Sequence, residues 1–249
     1  MNGMVRLRFW PLVCATAACL DPLAPETDTS PPTPLDTLTH VTVTKVGDLR
    51  YVVHWNGAPI ACPTSVKQTF PIPYLQERDP WYGEQLRAAG EGSLCDDQDP
   101  PEEVYRLSWI PSFDPTVIVR LERLSSGVHL SAVRLSGAGG YEPGVPVARA
   151  RLDLAESEWR HWLHLVSSAR FWTAPTAESH KVLDKDGNEV YGMGLDGAQW
   201  LLEARRGADY HAVDRWSPMR NGPYAAFRAA SEWLLNRSGL VGDSLVVSY

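Results

Sequence analysis

Basic charge is in short supply in this 249-residue sequence. Lys and Arg number 23 against 30 Asp and Glu, a net charge of −7. Binders of nucleic acid carry a basic surface, so that class is excluded. Motifs that organise common chemistry are missing as well. There is no Gly-x-Ser-x-Gly elbow, no Gly-x-x-x-x-Gly-Lys phosphate-binding loop, no Cys-x-x-Cys and no His-Glu-x-x-His. No internal repeat is visible, and no cofactor is expected. Hydrophobic residues make up 44% and charged residues 21%. Those proportions exclude a disordered or collagen-like chain and fit a globular domain with a sizeable core. Trp is abundant, at 10 residues, and such rings sit in cores or recognition surfaces.

Location is the first thing the sequence speaks to. Residues 1–18 combine a basic start, Arg6 and Arg8, with an uncharged run from Phe9 to Ala18. That run is too short to span a bilayer, which needs about 20 apolar residues, and reads as a secretory signal. It ends in Ala15-Thr16-Ala17-Ala18-Cys19, which resembles a bacterial lipobox with Thr16 in place of the usual Leu. The resemblance implies cleavage after Ala18, lipidation of Cys19 and a bacterial envelope protein held on the membrane by lipid. Leu20 rather than Asp follows Cys19, which resembles outer-membrane sorting; plain secretion is the alternative. Cleavage removes two arginines and moves the net charge from −7 to −9. No basic patch then attracts anionic lipid, and the acyl chains alone must hold the protein.

Residues 19–38 read as a tether. Between Leu20 and Thr37 lie five Pro and four acidic residues among 18, too little apolar surface to offset the entropy of ordering. Extended at about 3.1 Å per residue, it reaches at most about 55 Å. Of the four cysteines, Cys14 leaves with the signal and Cys19 takes the lipid. Cys62 and Cys95 remain, an even pair that predicts a disulfide in an exported chain.

From residue 39 to 249 the pattern predicts one α+β domain, any subdivision falling near 115–145. Period-two alternation predicts an antiparallel sheet built from hairpins: Val41 to Trp55 about Gly47-Asp48, then Val104–Trp109, Val117–Leu124, Val128–Leu135 and Val147–Leu154. Asn56-Gly57 and Asp186-Gly187 are further turn signals. Trp200–Arg205 and Tyr210–Trp216 flank a two-residue turn at Gly207-Ala208. Two amphipathic helices are expected. One, with Trp159, Trp162, Leu163 and Val166 on one face, runs to about Arg170 and is capped by Asp153 and Glu156. The other runs from Pro223 to about Arg237, with Phe227, Ala230, Trp233 and Leu234 inward and Gly239 past its end. The Pro-rich stretch 63–103 is expected to be irregular and closed by the disulfide.

The stretch Gly192–Pro218 is distinctive. Its Gly194-Leu195-Asp196-Gly197, Trp200, Glu203, Tyr210-His211, Val213 and Arg215-Trp216-Ser217-Pro218 resemble a motif of a family of uncharacterised bacterial exported proteins and lipoproteins. The resemblance covers about residues 150–237, includes Phe171-Trp172, and implies a fold unit without an assigned reaction.

Candidate chemistry gathers in that motif. Asp196, Glu203 and His211 are the candidate catalytic residues, with Asp214 nearby, because a carboxylate pair with His can perform acid–base work. Strand geometry opposes them. A two-residue turn puts Ala204 opposite His211 and Leu202 opposite Val213, so Glu203 and Asp214 lie on the other face. The expected roles are structural: Asp196-Gly197 as a turn, Glu203 paired with an Arg, His211 half-buried. His161 and His164, at i and i+3, are the candidate metal ligands, with His180 or His211 to complete a set. Asp184 to Asn188 hints at a calcium loop but has Glu189 and Leu195 where Gly and Glu are required. Aromatics between Phe70 and Tyr82 could stack on a glycan or hold a peptide, or fold back over the sheet. The leading expectation is a non-enzymatic, lipid-anchored envelope protein with a structural or binding role and a protein or glycan partner. The alternatives are a metal-dependent or acid–base hydrolase around Asp196 and His211, and a binding module using the 70–82 loop.

Overall fold

The computed structural model describes residues 41–47, 50–55, 58–63, 69–96, 100–183, 189–191 and 196–242. The signal, the tether and Cys19 lie outside them, as do Asn56-Gly57, Asp184 to Asn188 and Gly194-Leu195. For 41–55 and 178–191 only the backbone is described.

The architecture is α+β, as the pattern predicts. Four strands, β1 (Val41–Gly47), β2 (Arg50–Trp55), β8 (Ala177–Leu183) and β9 (Glu189–Tyr191), form one antiparallel sheet in the order β1-β2-β8-β9. A larger antiparallel sheet has the order β3-β11-β10-β4-β5-β6-β7. Its members are β3 (Ile60–Ala61), β4 (Glu103–Pro111), β5 (Val117–Leu124), β6 (Gly127–Leu135), β7 (Pro146–Leu154), β10 (Ala198–Arg206) and β11 (Asp209–Trp216). The predicted hairpin register is observed: Leu202 opposes Val213, Ala204 opposes His211 and Arg206 opposes Asp209. Gly207, at φ 57°, supplies the left-handed residue that the two-residue turn needs.

Alternation along the central strands sorts their side chains onto two faces. Tyr105, Leu107 and Trp109 of β4 lie with Val117, Val119 and Leu121 of β5 and Trp200, Leu202 and Ala204 of β10. The helices α3 (Glu156–Ser168) and α4 (Ala225–Ser238) cover this face. Trp159, Trp162 and Val166 of the first and Phe227, Ala230 and Leu234 of the second are buried against it. Trp162 stacks on the partly buried Trp233 at 5.7 Å, joining the helices, and Arg237 meets Glu158 at 2.6 Å.

Two expectations need correction. The 63–103 stretch is not irregular throughout. It holds α1 (Pro73–Gln76) and α2 (Asp79–Ala89), and α2 is a third covering helix, on the opposite face of the sheet. Pro80 reads as a breaker, but in the first turn of a helix it removes a donor that would have no partner anyway. Gly90, at φ 83°, closes the helix in the left-handed conformation. Phe70, Leu75, Tyr82 and Leu86 pack there on Val104, Ile110, Ile118, Leu201 and Ala212. The central strands are therefore dry on both faces. The edge strand β7 keeps one wet face, with Arg149, Arg151 and Asp153 exposed. The second correction concerns the cap of α3. Asp153 is taken by His129 at 2.6 Å, so the helix starts two residues later. There Glu158 accepts the Ala155 N–H at 2.9 Å.

Cys62 and Cys95 form the predicted disulfide, with Cα atoms 5.3 Å apart. Such a bridge stabilises by about 3–4 kcal/mol through the unfolded chain it constrains. It pins the ends of the α1–α2 layer. The Cys62 N–H donates to Ala208 at 2.8 Å, and Arg205 donates to the Leu94 carbonyl at 3.1 Å. Both ends of the layer are thus held at the β10–β11 turn.

Trp200 is fully buried, edge-on to Trp109 at 6.2 Å and beneath the Arg228 guanidinium at 4.8 Å. Truncating such a ring leaves a cavity that the sheet cannot close. Trp200→Ala is expected to lose about 3–5 kcal/mol in urea unfolding; a loss below about 1 kcal/mol would contradict this packing.

Candidate functional site

Asp196, Glu203 and His211 lie within one motif but do not converge. Asp196 is exposed, just before β10. Glu203 and His211 are buried on opposite faces of the sheet. A period of two makes this unavoidable, because the position opposite His211 is Ala204 and not Glu203.

Glu203 faces the α1–α2 layer and is held by Arg106, directly across from it on β4. The guanidinium grips the carboxylate with both fork nitrogens, Nε to Oε2 at 2.9 Å and Nη2 to Oε1 at 3.0 Å. The Tyr210 hydroxyl donates to Oε1 at 2.7 Å. Arg106 spends Nη1 on the Gly92 carbonyl at 2.5 Å and on Glu91 at 3.3 Å. Neither member of the pair is exposed at all. Burial pulls the Arg106 pKa down, Glu203 and Glu91 push it up more strongly, and the net direction is upward. Burial and the Glu203 charge push the Tyr210 hydroxyl well above its ordinary value. A carboxylate so occupied is structural, and its partner is the Arg that the motif reading anticipated.

A second buried carboxylate, Asp214, lies on the same face. The Tyr82 hydroxyl donates to Oδ2 at 2.8 Å, the Tyr74 hydroxyl donates to the same oxygen at 3.0 Å, and Gln199 donates to Oδ1. Burial raises its pKa against the opposing effect of these donors and of Arg78. The sequence offers no direct signal for this cluster. Its hydroxyls come from residues 132 and 140 positions away in the chain, and such a pairing becomes visible only once α1 and α2 are placed.

His211 lies on the α3–α4 face. Its Nε2 is 3.1 Å from the Ala174 carbonyl. A carbonyl can only accept, so this nitrogen carries the proton. Phe171 stands edge-on to the ring at 5.1 Å and Trp172 lies at 6.2 Å. The ring is fully buried, deeper than the half-buried position expected. Burial lowers its pKa to about 4, with Arg215 adding to the shift and the carbonyls of Ala174 and Phe171 opposing it. A general base must reach the proton it takes; this imidazole is closed in by its neighbours.

Other motif residues have packing roles. A Cβ on Gly197 would sit 2.4 Å from Ser217 Oγ and 2.7 Å from the Trp216 ring. Ser217 accepts the Ala198 N–H at 2.9 Å, and the Pro218 carbonyl accepts from Arg228 at 2.8 Å. Arg215 donates to the carbonyls of Thr176, Asp214 and Pro175 at 2.8–3.1 Å.

The remaining candidates are spread apart. His161 and His164 are exposed on α3, His161 against Trp233 at 5.8 Å. Among the described residues, no group of three or more His, Cys, Asp or Glu could hold a metal ion; the His180 side chain lies outside them. The 70–82 aromatics turn inward. Phe70 and Tyr82 are buried, and Trp81 donates to the Gly140 carbonyl at 3.2 Å. Among the described residues, two clefts of about 440 and 460 Å³ flank the 3-10 turn Phe171–Thr173. Comparison with known proteins gives no further lead: no family model, no curated protein and no solved structure matches this chain.

The His211 shift fixes a pH dependence. The folded-state pKa, about 4, lies below the unfolded value of 6.5. The unfolded chain therefore binds the proton first, and stability falls as pH drops from 6.5 to 4. The loss is about 3 kcal/mol. Gln in place of His211 keeps an N–H for Ala174 and does not titrate. Between pH 7 and 4 the wild type is expected to lose about 3 kcal/mol more than His211→Gln in urea unfolding. Parallel pH curves for the two would contradict the buried, neutral imidazole.

Proposed function

We propose that this chain is a lipid-anchored bacterial envelope protein whose domain serves a structural or binding role. The observation that carries the reading is the Cys62–Cys95 disulfide. Such bonds persist in oxidising compartments and are rare where thiols are kept reduced. A chain that depends on one to hold a covering layer belongs outside the cytoplasm. Export agrees with the basic, then apolar, then small-residue start of the sequence, and Cys19 is the acceptor that the lipobox resemblance supplies. Five prolines between Leu20 and Thr37 suit a spacer that lifts the domain off the membrane.

The domain side of the reading rests on what the motif residues do. Glu203 and His211 are sealed on opposite faces, and Asp214 accepts from three side chains. These contacts support a role in folding for the Gly192–Pro218 motif and favour binding or structure over acid–base hydrolysis.

Detergent phase partitioning tests the anchor. Wild type expressed in a bacterial host is expected in the detergent phase and Cys19→Ala in the aqueous phase. Recovery of both in the aqueous phase would leave the protein secreted and unanchored.

A further inference from the structure

The cleft of about 440 Å³ is walled by the end of α3, by Thr173–Pro175, by β11 and by the first turn of α4. Its size is typical of small-molecule sites. Two of its described lining residues are arginines, Arg170 and Arg215, and none of those described is acidic. In a chain with 30 acidic and 23 basic residues this is a reversal of the local sign. Helix dipoles do not account for it. The α3 C-terminus brings negative partial charge and the α4 N-terminus a similar positive one, so the two roughly cancel. The two arginines are the full charges among the described lining residues.

Arg170 adds an independent observation. Its backbone is left-handed, φ 51° and ψ 34°, at the position after a helix where glycine is unstrained and a residue with a Cβ is not. A cation anywhere in the last turn would offset the α3 carbonyls. Here the strained residue itself lines the cleft, and also lines its neighbour across the 3-10 turn. Backbone strain held in place at a concave site points to a role for the side chain. Arg215 is 5% exposed and oriented by three backbone carbonyls, with its guanidinium 4.8 Å from the Tyr224 ring. A guanidinium so fixed holds a positive charge in place at the cleft wall. The Ser168 hydroxyl, also in the lining, adds a donor, that of Thr173 donates to the Arg170 carbonyl at 3.2 Å, and Tyr224 and Phe227 offer apolar surface.

We propose that the cleft between Arg170 and Arg215 binds an oxyanion, a carboxylate or phosphate carried by a small ligand whose apolar part lies against Tyr224 and Phe227. The site does not depend on the lipid anchor and stands whether or not Cys19 is acylated. The test is thermal unfolding of the purified full chain titrated with inorganic phosphate and, separately, with succinate, chloride balancing the ionic strength. A saturable rise in Tm is expected with at least one probe, and which one responds identifies the oxyanion. Arg170→Gly relieves the left-handed strain, so its ligand-free Tm is expected to equal or exceed the wild type's while its apparent affinity falls at least tenfold. Arg149→Ala, on β7 away from the cleft, is expected to respond like wild type. Absence of a saturable shift with either probe overturns the proposal. So does an equal loss in Arg170→Gly and Arg149→Ala, which would reduce the effect to general attraction between charges.

Discussion

The Arg106–Glu203 pair is the constraint around which the domain is organised. Two opposite charges stand directly across from one another in the middle of a sheet, with no exposure to water. Removing both ions from water costs several kcal/mol each, and only close geometry with further hydrogen bonds offsets that. The structure supplies both. The fork closes on the carboxylate with two bonds, Tyr210 takes a third, and the Gly92 carbonyl with Glu91 completes the guanidinium. Two of those partners, Glu91 and Gly92, come from the segment just after α2. The pair is therefore satisfied only when the α1–α2 layer is in place, and the disulfide keeps that layer there. Sheet, layer and cross-link form one unit.

The motif reads differently in that light. Its polar residues resemble an active site in sequence because they are the types that do chemistry. In the fold the buried ones have packing tasks. Glu203 neutralises Arg106, Tyr210 supports Glu203, and His211 fills the space under Phe171 and Trp172. Gly197 lets the chain pass Trp216, Ser217 ties the strand end to β10 through Ala198, and Pro218 ties it to α4 through Arg228. The cleft is lined by Arg215 of the motif together with Arg170, and its described lining does not include the residues that resemble catalysts.

Much of the frame was legible because local rules decide it. A tight turn at Gly207 sets the β10–β11 register to the residue, and that register alone separates Glu203 from His211. The Trp stripes of α3 and α4 appear at helical spacing and pack as such. What stayed hidden depends on distant pairing. Arg106, Glu203 and Asp214 alternate with apolar neighbours and read as a wet face; they are dry because their charges meet partners across strands or from α1 and α2. The α2 helix was masked by Pro80, which stands where a helix accepts it. Asp153 had the right spacing to cap α3, but a histidine on the neighbouring strand took its carboxylate first. The Arg170–Arg215 cleft has no sequence signature, since its walls are 45 positions apart in the chain.

In these relations buried polar groups fix one packing, and the cleft proposed to bind an oxyanion lies on the helical side of the sheet. The most direct test is a double-mutant cycle in urea unfolding with Arg106→Met, Glu203→Met and the double substitution. Each single change strands a buried charge and is predicted to cost about 3–5 kcal/mol, with the double far less costly than the sum. The coupling should then reach at least about 2 kcal/mol. Single changes that are each nearly neutral, with no coupling between them, would contradict a structural role for Glu203 and return it to the list of candidate catalysts.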